Sequence, residues 1–122
     1  MTLQVRKTKL FAVTTTIALA VSTNAFADID ADAAKKLARK SSCLKCHAVD
    51  KEKDGPSYQK VAEKYRGRTD GEEKLIEQIT TGKQAKFPDG HEEEHRIIET
   101  RDMDEIRNLV NWILSLQPAS EK

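Results

Sequence analysis

Cys43, Cys46 and His47 stand together in the pentapeptide Cys43-Leu44-Lys45-Cys46-His47, which reads C-x-x-C-H. Two thiols about one helical turn apart suit thioether bonds to the two vinyl groups of a haem. The histidine directly after the second thiol is then placed beneath the porphyrin, where its imidazole can bind iron. The pattern therefore predicts a chain that folds around a covalent group. Without the histidine, C-x-x-C also serves redox dithiols and half zinc sites. A structural disulfide is the remaining use for the only two cysteines. A bridge between positions three apart closes a tiny loop and restricts the unfolded chain little, so it explains the pair poorly.

The N-terminus predicts export. Arg6, Lys7 and Lys9 precede an uncharged, apolar and threonine-rich run from Leu10 to Val21, and Ala25-Phe26-Ala27 is a small-x-small site. This is the order of a secretory signal peptide. The run is shorter than the roughly twenty residues that cross a bilayer as a helix. Residues 1–27 are expected to be a cleaved leader and residues 28–122 the mature domain, located in the periplasm with no membrane span after cleavage. Export agrees with the cysteine pattern, because c-type haem is attached outside the cytoplasm.

The mature part is one domain, small enough that a core of side chains alone is marginal. A haem would supply the missing apolar surface. Of the 21 Lys and Arg residues three lie in the leader, and all 20 Asp and Glu lie beyond it. The mature domain thus carries 18 basic and 20 acidic groups, near −2. No basic excess supports nucleic-acid binding. The charges alternate in sign, as on solvated helix faces.

The rest reads as an all-α chain of four to five short helices. Asp30 or Asp32 caps a first helix with Ala34, Leu37, Ala38 and Ser41 on one face. Small residues there let another helix approach closely. Pro56 suits the first turn of a second helix, in which Tyr58, Val61, Ala62 and Tyr65 recur at helical spacing before Gly67. Asp70 caps a third helix with Leu75, Ile76 and Ile79, stopped at Gly82. Residues 83–100 show weak periodicity and read as an extended loop, long enough to be functional or mobile. Asp102 and Glu105 resemble a capping box opening the strongest helix, with Ile106, Leu109, Val110, Ile113 and Leu114 on its apolar face and Pro118 past its end. The expected core is Leu37, Tyr58, Val61, Leu75, Ile79, Ile106, Leu109, Val110, Trp112 and Ile113, with no convincing strand.

Three segments occur in order: Cys43-Leu44-Lys45-Cys46-His47-Ala48, Gly55-Pro56-Ser57-Tyr58-Gln59-Lys60-Val61-Ala62-Glu63-Lys64-Tyr65, and Leu109-Val110-Asn111-Trp112-Ile113-Leu114-Ser115-Leu116. Together they resemble a small bacterial class I c-type cytochrome over nearly the whole mature chain. The resemblance implies the cytochrome c fold, with N- and C-terminal helices crossing beside one covalent haem c. It implies a monohaem electron carrier, not an enzyme, that exchanges one electron with periplasmic donor and acceptor proteins, as a monomer. It further implies that the Pro56 carbonyl accepts a hydrogen bond from His47, which fixes the ring and raises its basicity.

One departure stands out. Relatives place a methionine ligand in a Pro-rich loop before the last helix, and no Met-Pro segment occurs here. Counting back from Trp112 as in relatives reaches the neighbourhood of His95 and Arg96. His95 is therefore the leading candidate for the sixth ligand, with His91 or Met103 in its place as alternatives, or an open iron. Ile97 and Ile98 would seal the pocket. Methionine ligation raises the potential of a c-type haem, so a bis-histidine centre is expected to sit lower. A displaceable sixth ligand would instead suit a haem-based ligand-binding or sensor protein, and a third reading is a haem subunit of a larger redox enzyme. Lys45, Lys51 to Lys53 and Glu92 to Glu94 are candidate docking charges.

His91-Glu92-Glu93-Glu94-His95 also matches the zinc protease pattern H-E-x-x-H. That motif works only inside a helix, and Pro88-Asp89-Gly90 stands directly before it. A protease is not expected.

Overall fold

The computed structural model describes residues 28–118; the leader expected over residues 1–27 lies outside them. Four helices form: α1 (Ala31–Lys40), α2 (Tyr58–Tyr65), α3 (Gly71–Thr81) and α4 (Met103–Ser115). A 3-10 turn spans Cys43–Lys45, and two short strands, β1 (Gln84–Lys86) and β2 (Glu92–Glu94), lie between α3 and α4.

α4 is the element the others pack on: α1, α2 and α3 all contact it. Its Ile106, Leu109, Val110, Trp112 and Ile113 are buried, as the helical spacing predicts. α1 crosses α4 through Ala34, Leu37 and Ala38, all buried. The two alanines remove side-chain bulk where the backbones meet. The start of α1 is latched to α4 by a reciprocal pair: Asp30 N–H donates to Asn108 Oδ1 at 2.9 Å, and Asn108 Nδ2 donates to the Asp30 carbonyl at 2.8 Å. Of the expected core, Leu37, Tyr58, Leu75, Ile106, Leu109, Val110, Trp112 and Ile113 are buried. Val61 and Ile79 are only partly buried and pack at its margin. Ala62 and Ile98 join the buried set.

The caps explain the helix boundaries. Asp30, not Asp32, caps α1, accepting from the amides of Asp32 and Ala33. Asp102 caps α4 by accepting from Asp104 and Glu105. The expected box closes through Thr100, whose hydroxyl donates to Glu105 at 2.7 Å and accepts from the Asp102 amide at 3.1 Å. Asp70 makes no side-chain cap on α3; its carboxylate is taken by Arg68 in a two-pronged pair at 2.9 Å. Pro56 does not lie in the first turn of α2. Ser57 is the cap, its hydroxyl accepting from Lys60 N–H at 3.2 Å, so Pro56 stands outside the helix with its carbonyl free of the helical ladder. Gly67 follows α2 with φ +74°, and Gly82 ends α3 with φ +67°.

The segment 83–100 is where the fold departs from expectation. It forms an antiparallel hairpin pairing Gln84 with Glu94, Ala85 with Glu93 and Lys86 with Glu92. Its tip is Pro88-Asp89-Gly90. Gly90 N–H donates to the Phe87 carbonyl at 2.9 Å, Phe87 N–H donates to the His91 carbonyl at 2.9 Å, and Gly90 has φ +92°. Proline at the first turn position and a left-handed glycine at the close are what such a turn requires. The strands themselves, Gln-Ala-Lys and Glu-Glu-Glu, contain no β-branched or aromatic residue, so intrinsic preference gives them no strand signal.

Leu109 is 2 % exposed at the centre of the α4 face. Leu109→Ala is expected to destabilise the haem-loaded protein by about 2–5 kcal/mol. Removing the α4 cap with Asp102→Ala should cost about 1 kcal/mol. Urea unfolding followed by circular dichroism measures both.

Candidate functional site

The 3-10 turn brings the cysteines and His47 together. Cys46 N–H donates to the Cys43 carbonyl at 3.3 Å, and His47 N–H donates to the same oxygen at 3.0 Å. The chain enters this turn through Ser42, which has φ 59°. Cys43 and Cys46 are both partly buried and both free. Burial pushes the Cys43 thiol above its ordinary pKa. Residues 48–55 fold back over the turn: Gly55 N–H donates to the Cys46 carbonyl at 2.8 Å, and Lys53 Nζ donates to the Leu44 carbonyl at 2.7 Å.

This return places Pro56 against the ring of His47. His47 Nδ1 lies 2.7 Å from the Pro56 carbonyl oxygen. A carbonyl can only accept, so Nδ1 carries the proton and Nε2 is the nitrogen left to offer a metal. Gly55 is a site residue that the spacing of motifs did not single out. A Cβ built there would lie 2.6 Å from His47 Cε1 and 2.9 Å from Nδ1. Only a residue with no side chain lets the backbone pass so close to the ring.

The second half of the site comes from the base of the hairpin. His95 directly follows β2, and its N–H donates to the Lys83 carbonyl at 3.0 Å. Ile98 N–H donates to the Ile79 carbonyl at 2.8 Å, fastening the strap after His95 to α3. His95 Nδ1 lies 2.9 Å from the Arg96 carbonyl, which fixes the same tautomer as in His47 and again leaves Nε2. Burial, helped by the nearby His47, holds the His95 imidazole below its ordinary pKa; the hydrogen bond to Arg96 opposes that shift without reversing it. This shift favours the neutral ring, whose Nε2 lone pair can bind a metal.

The two ring centroids lie 6.0 Å apart with planes inclined by 43°. Two metal–imidazole bonds of about 2 Å each, extended by the two half-rings, need about this separation. With two thiols on the adjacent turn, the residues present fit one covalent, iron-bearing haem.

The two alternatives to His95 lie elsewhere. His91 is at the hairpin tip, hydrogen-bonded to Asp89 and stacked on Phe87 at 4.4 Å. Met103 is the first residue of α4, 40 % exposed. It borders a cleft of about 670 Å³ lined with Thr80, Ile97 and Ile106, among others, and by neither cysteine nor His47. Ile98 is buried as a seal would be, whereas Ile97 is 54 % exposed. The H-E-x-x-H segment does not form the helix that the zinc motif needs. Its glutamates lie on β2, all exposed, and the four residue steps of extended chain from His91 to His95 span about 13 Å. No cluster of three or more potential metal-binding side chains occurs among the described residues.

Known proteins resemble this chain over most of the described residues. The family model described as Cytochrome c matches residues 31–117. Cytochrome c-551 of Allochromatium vinosum is 32 % identical over 99 residues, spanning 81 % of this chain and 96 % of its own length. Cytochrome c2 of Rhodocyclus tenuis is 33 % identical over 87 residues, spanning 70 % of this chain and 95 % of its own. Among solved structures, the class 1 cytochrome MtoD of Sideroxydans lithotrophicus ES-1 superposes with a TM-score of 0.69 at 64 % identity, covering 71 % of this chain and 96 % of that one.

Gly55→Ala tests the close approach to His47. The added methyl should push the ring off the Pro56 carbonyl and so weaken any bond His47 makes to haem iron. The expected outcome is a high-spin component in the ferric optical spectrum that the unmodified protein lacks.

Proposed function

Since the chain belongs to the cytochrome c family, as a small class I electron-transfer protein with one covalently bound haem c, we propose that it is a periplasmic one-electron carrier with two histidine axial ligands. Cys43 and Cys46 would hold the haem through thioether bonds, and His47 and His95 would bind its iron from opposite sides. When bound, the haem supplies a reversible ferric/ferrous couple. The remaining work belongs to the chain. Pro56 and Arg96 each anchor an Nδ1 proton through a backbone carbonyl, presenting both Nε2 lone pairs and raising ligand basicity.

The close pair of tautomer-fixed imidazoles is the observation that carries this reading. A centre closed by two protein ligands moves electrons and has no vacant position for a substrate or a gas. It therefore favours an electron carrier over a sensor with a displaceable ligand. Two imidazoles should also place the potential below that of a methionine-ligated relative.

The leader predicted over residues 1–27 would export the chain and be removed, leaving 28–122. No helix among the described residues is long and apolar enough to cross a membrane. Redox donors and acceptors would dock briefly by complementary charge. Lys45, Lys51 and the three glutamates of β2 are exposed for this, whereas Lys53 is committed to the Leu44 carbonyl.

His95→Ala in the periplasmically matured protein is the direct test. The ferric protein should show a low-spin bis-imidazole electron paramagnetic resonance (EPR) signal that becomes high-spin in the variant, and the reduced variant should gain rapid carbon monoxide binding. A methionine-ligated spectrum unchanged by the substitution would move the ligand to Met103. A high-spin parent spectrum would favour ligand binding over carriage.

A further inference from the structure

The hydrogen bond to Pro56 fixes where His47 Nδ1 points. It orients the ring from one edge, and rotation about the axis of that bond still lets the plane tilt. Another group must hold that plane, and Tyr58 is in place to do so. Its ring stacks on the His47 imidazole with centroids 5.4 Å apart and planes 22° from parallel. Trp112 of α4 meets Tyr58 edge-on, at 5.7 Å and 84°. Both aromatic residues are 5 % exposed.

The backbone adds a second restraint. Tyr58 N–H donates to the Ala48 carbonyl at 2.9 Å, and Gln59 N–H donates to the Val49 carbonyl at 3.0 Å. The start of α2 is thereby tied to the residues immediately after His47. The phenol lies beside Cys43, so Tyr58 touches both an anchoring cysteine and the imidazole. A stacked and edge-on aromatic chain thus runs from the packed face of α4 to the site.

We propose that Tyr58, braced by Trp112, is the positioning residue that sets the rotation of the His47 plane and hence its 43° inclination to His95. This inference rests on the reading of His47 and His95 as the axial pair. The angle between two axial imidazole planes governs the anisotropy of a low-spin ferric centre: near-parallel and near-perpendicular pairs give different largest g values. The plane is therefore directly readable, apart from any effect on stability.

The experiment compares EPR spectra and midpoint potentials of the haem-loaded parent, Tyr58→Leu, Tyr58→Phe and Trp112→Phe proteins. Loss of the ring in Tyr58→Leu should shift and broaden the largest g feature. Tyr58→Phe keeps the stacked ring and should retain the parental line. Trp112→Phe shortens the brace and should shift the line in the same direction by less. A Tyr58→Leu line equal to the parent in position and width overturns the proposal, as does a Tyr58→Phe shift as large as that of Tyr58→Leu. If Tyr58→Leu yields no haem-loaded protein, Trp112→Phe decides, and an unshifted line there overturns it. A parent spectrum without two imidazoles overturns the axial-pair reading, a failure visible before any variant is compared.

Discussion

The hydrogen bond between His47 Nδ1 and the Pro56 carbonyl, 2.7 Å long, organises the surrounding architecture. For that carbonyl to be available, Pro56 must stand outside α2, and the Ser57 cap ensures that it does. For the carbonyl to reach the ring, the loop after Cys46 must fold back tightly. The bond from Gly55 N–H to the Cys46 carbonyl closes that return, and the missing side chain of Gly55 leaves room for the imidazole. A cap, a turn and a glycine, each ordinary alone, converge on one nitrogen. Their joint result is chemical: one protonation pattern for the imidazole, with one nitrogen free.

His95 repeats the solution with different parts. Its Nδ1 also meets a backbone carbonyl, that of Arg96, but the support is a hairpin and a strap. The hairpin register sets where β2 ends, and the Lys83 carbonyl fastens the next residue. A Cβ at Gly82 would approach the His95 carbonyl to 3.4 Å. A slip of one residue in β2 would turn its side chains to the other face and carry the imidazole away. The tight Pro88-Asp89-Gly90 turn, by fixing the register, contributes to the site from a distance.

α4 links packing to chemistry. The face that buries Ile106, Leu109, Val110 and Ile113 also carries Trp112, which leads through Tyr58 to His47. A small domain has little core to spare, so the residues that stabilise it are close neighbours of those around the cofactor. The surface follows a separate logic. Its ion pairs, such as Lys60 with Glu52 and Arg68 with Asp70, are exposed and contribute little to stability.

Much of this molecule is legible in its sequence because much of it is local. The C-x-x-C-H turn, the Asp30 and Asp102 caps and the apolar faces of α1 and α4 each depend on residues within one or two helical turns. Such interactions leave a pattern at fixed spacing. The hairpin had a partial signal in Pro88-Asp89-Gly90, but its strands lack strand-forming residues and read as loop. Gly55 stands in the Gly55-Pro56 segment of the resemblance, but its role left no signal, since a glycine in a polar loop looks the same whether or not a ring passes over it. Which of His91, His95 and Met103 lies opposite His47 is likewise a tertiary matter. All three are close in sequence, the histidines before the last helix and Met103 at its start, whereas the hairpin turns His91 outward, α4 carries Met103 to a cleft lined by neither cysteine nor His47, and His95 is brought to 6.0 Å from the other ring. The sequence by itself determined the attachment turn and the helices that surround it, because those arise from neighbours along the chain. The approach of His95 to His47 arises only in three dimensions, because it depends on the register and docking of segments distant in the chain.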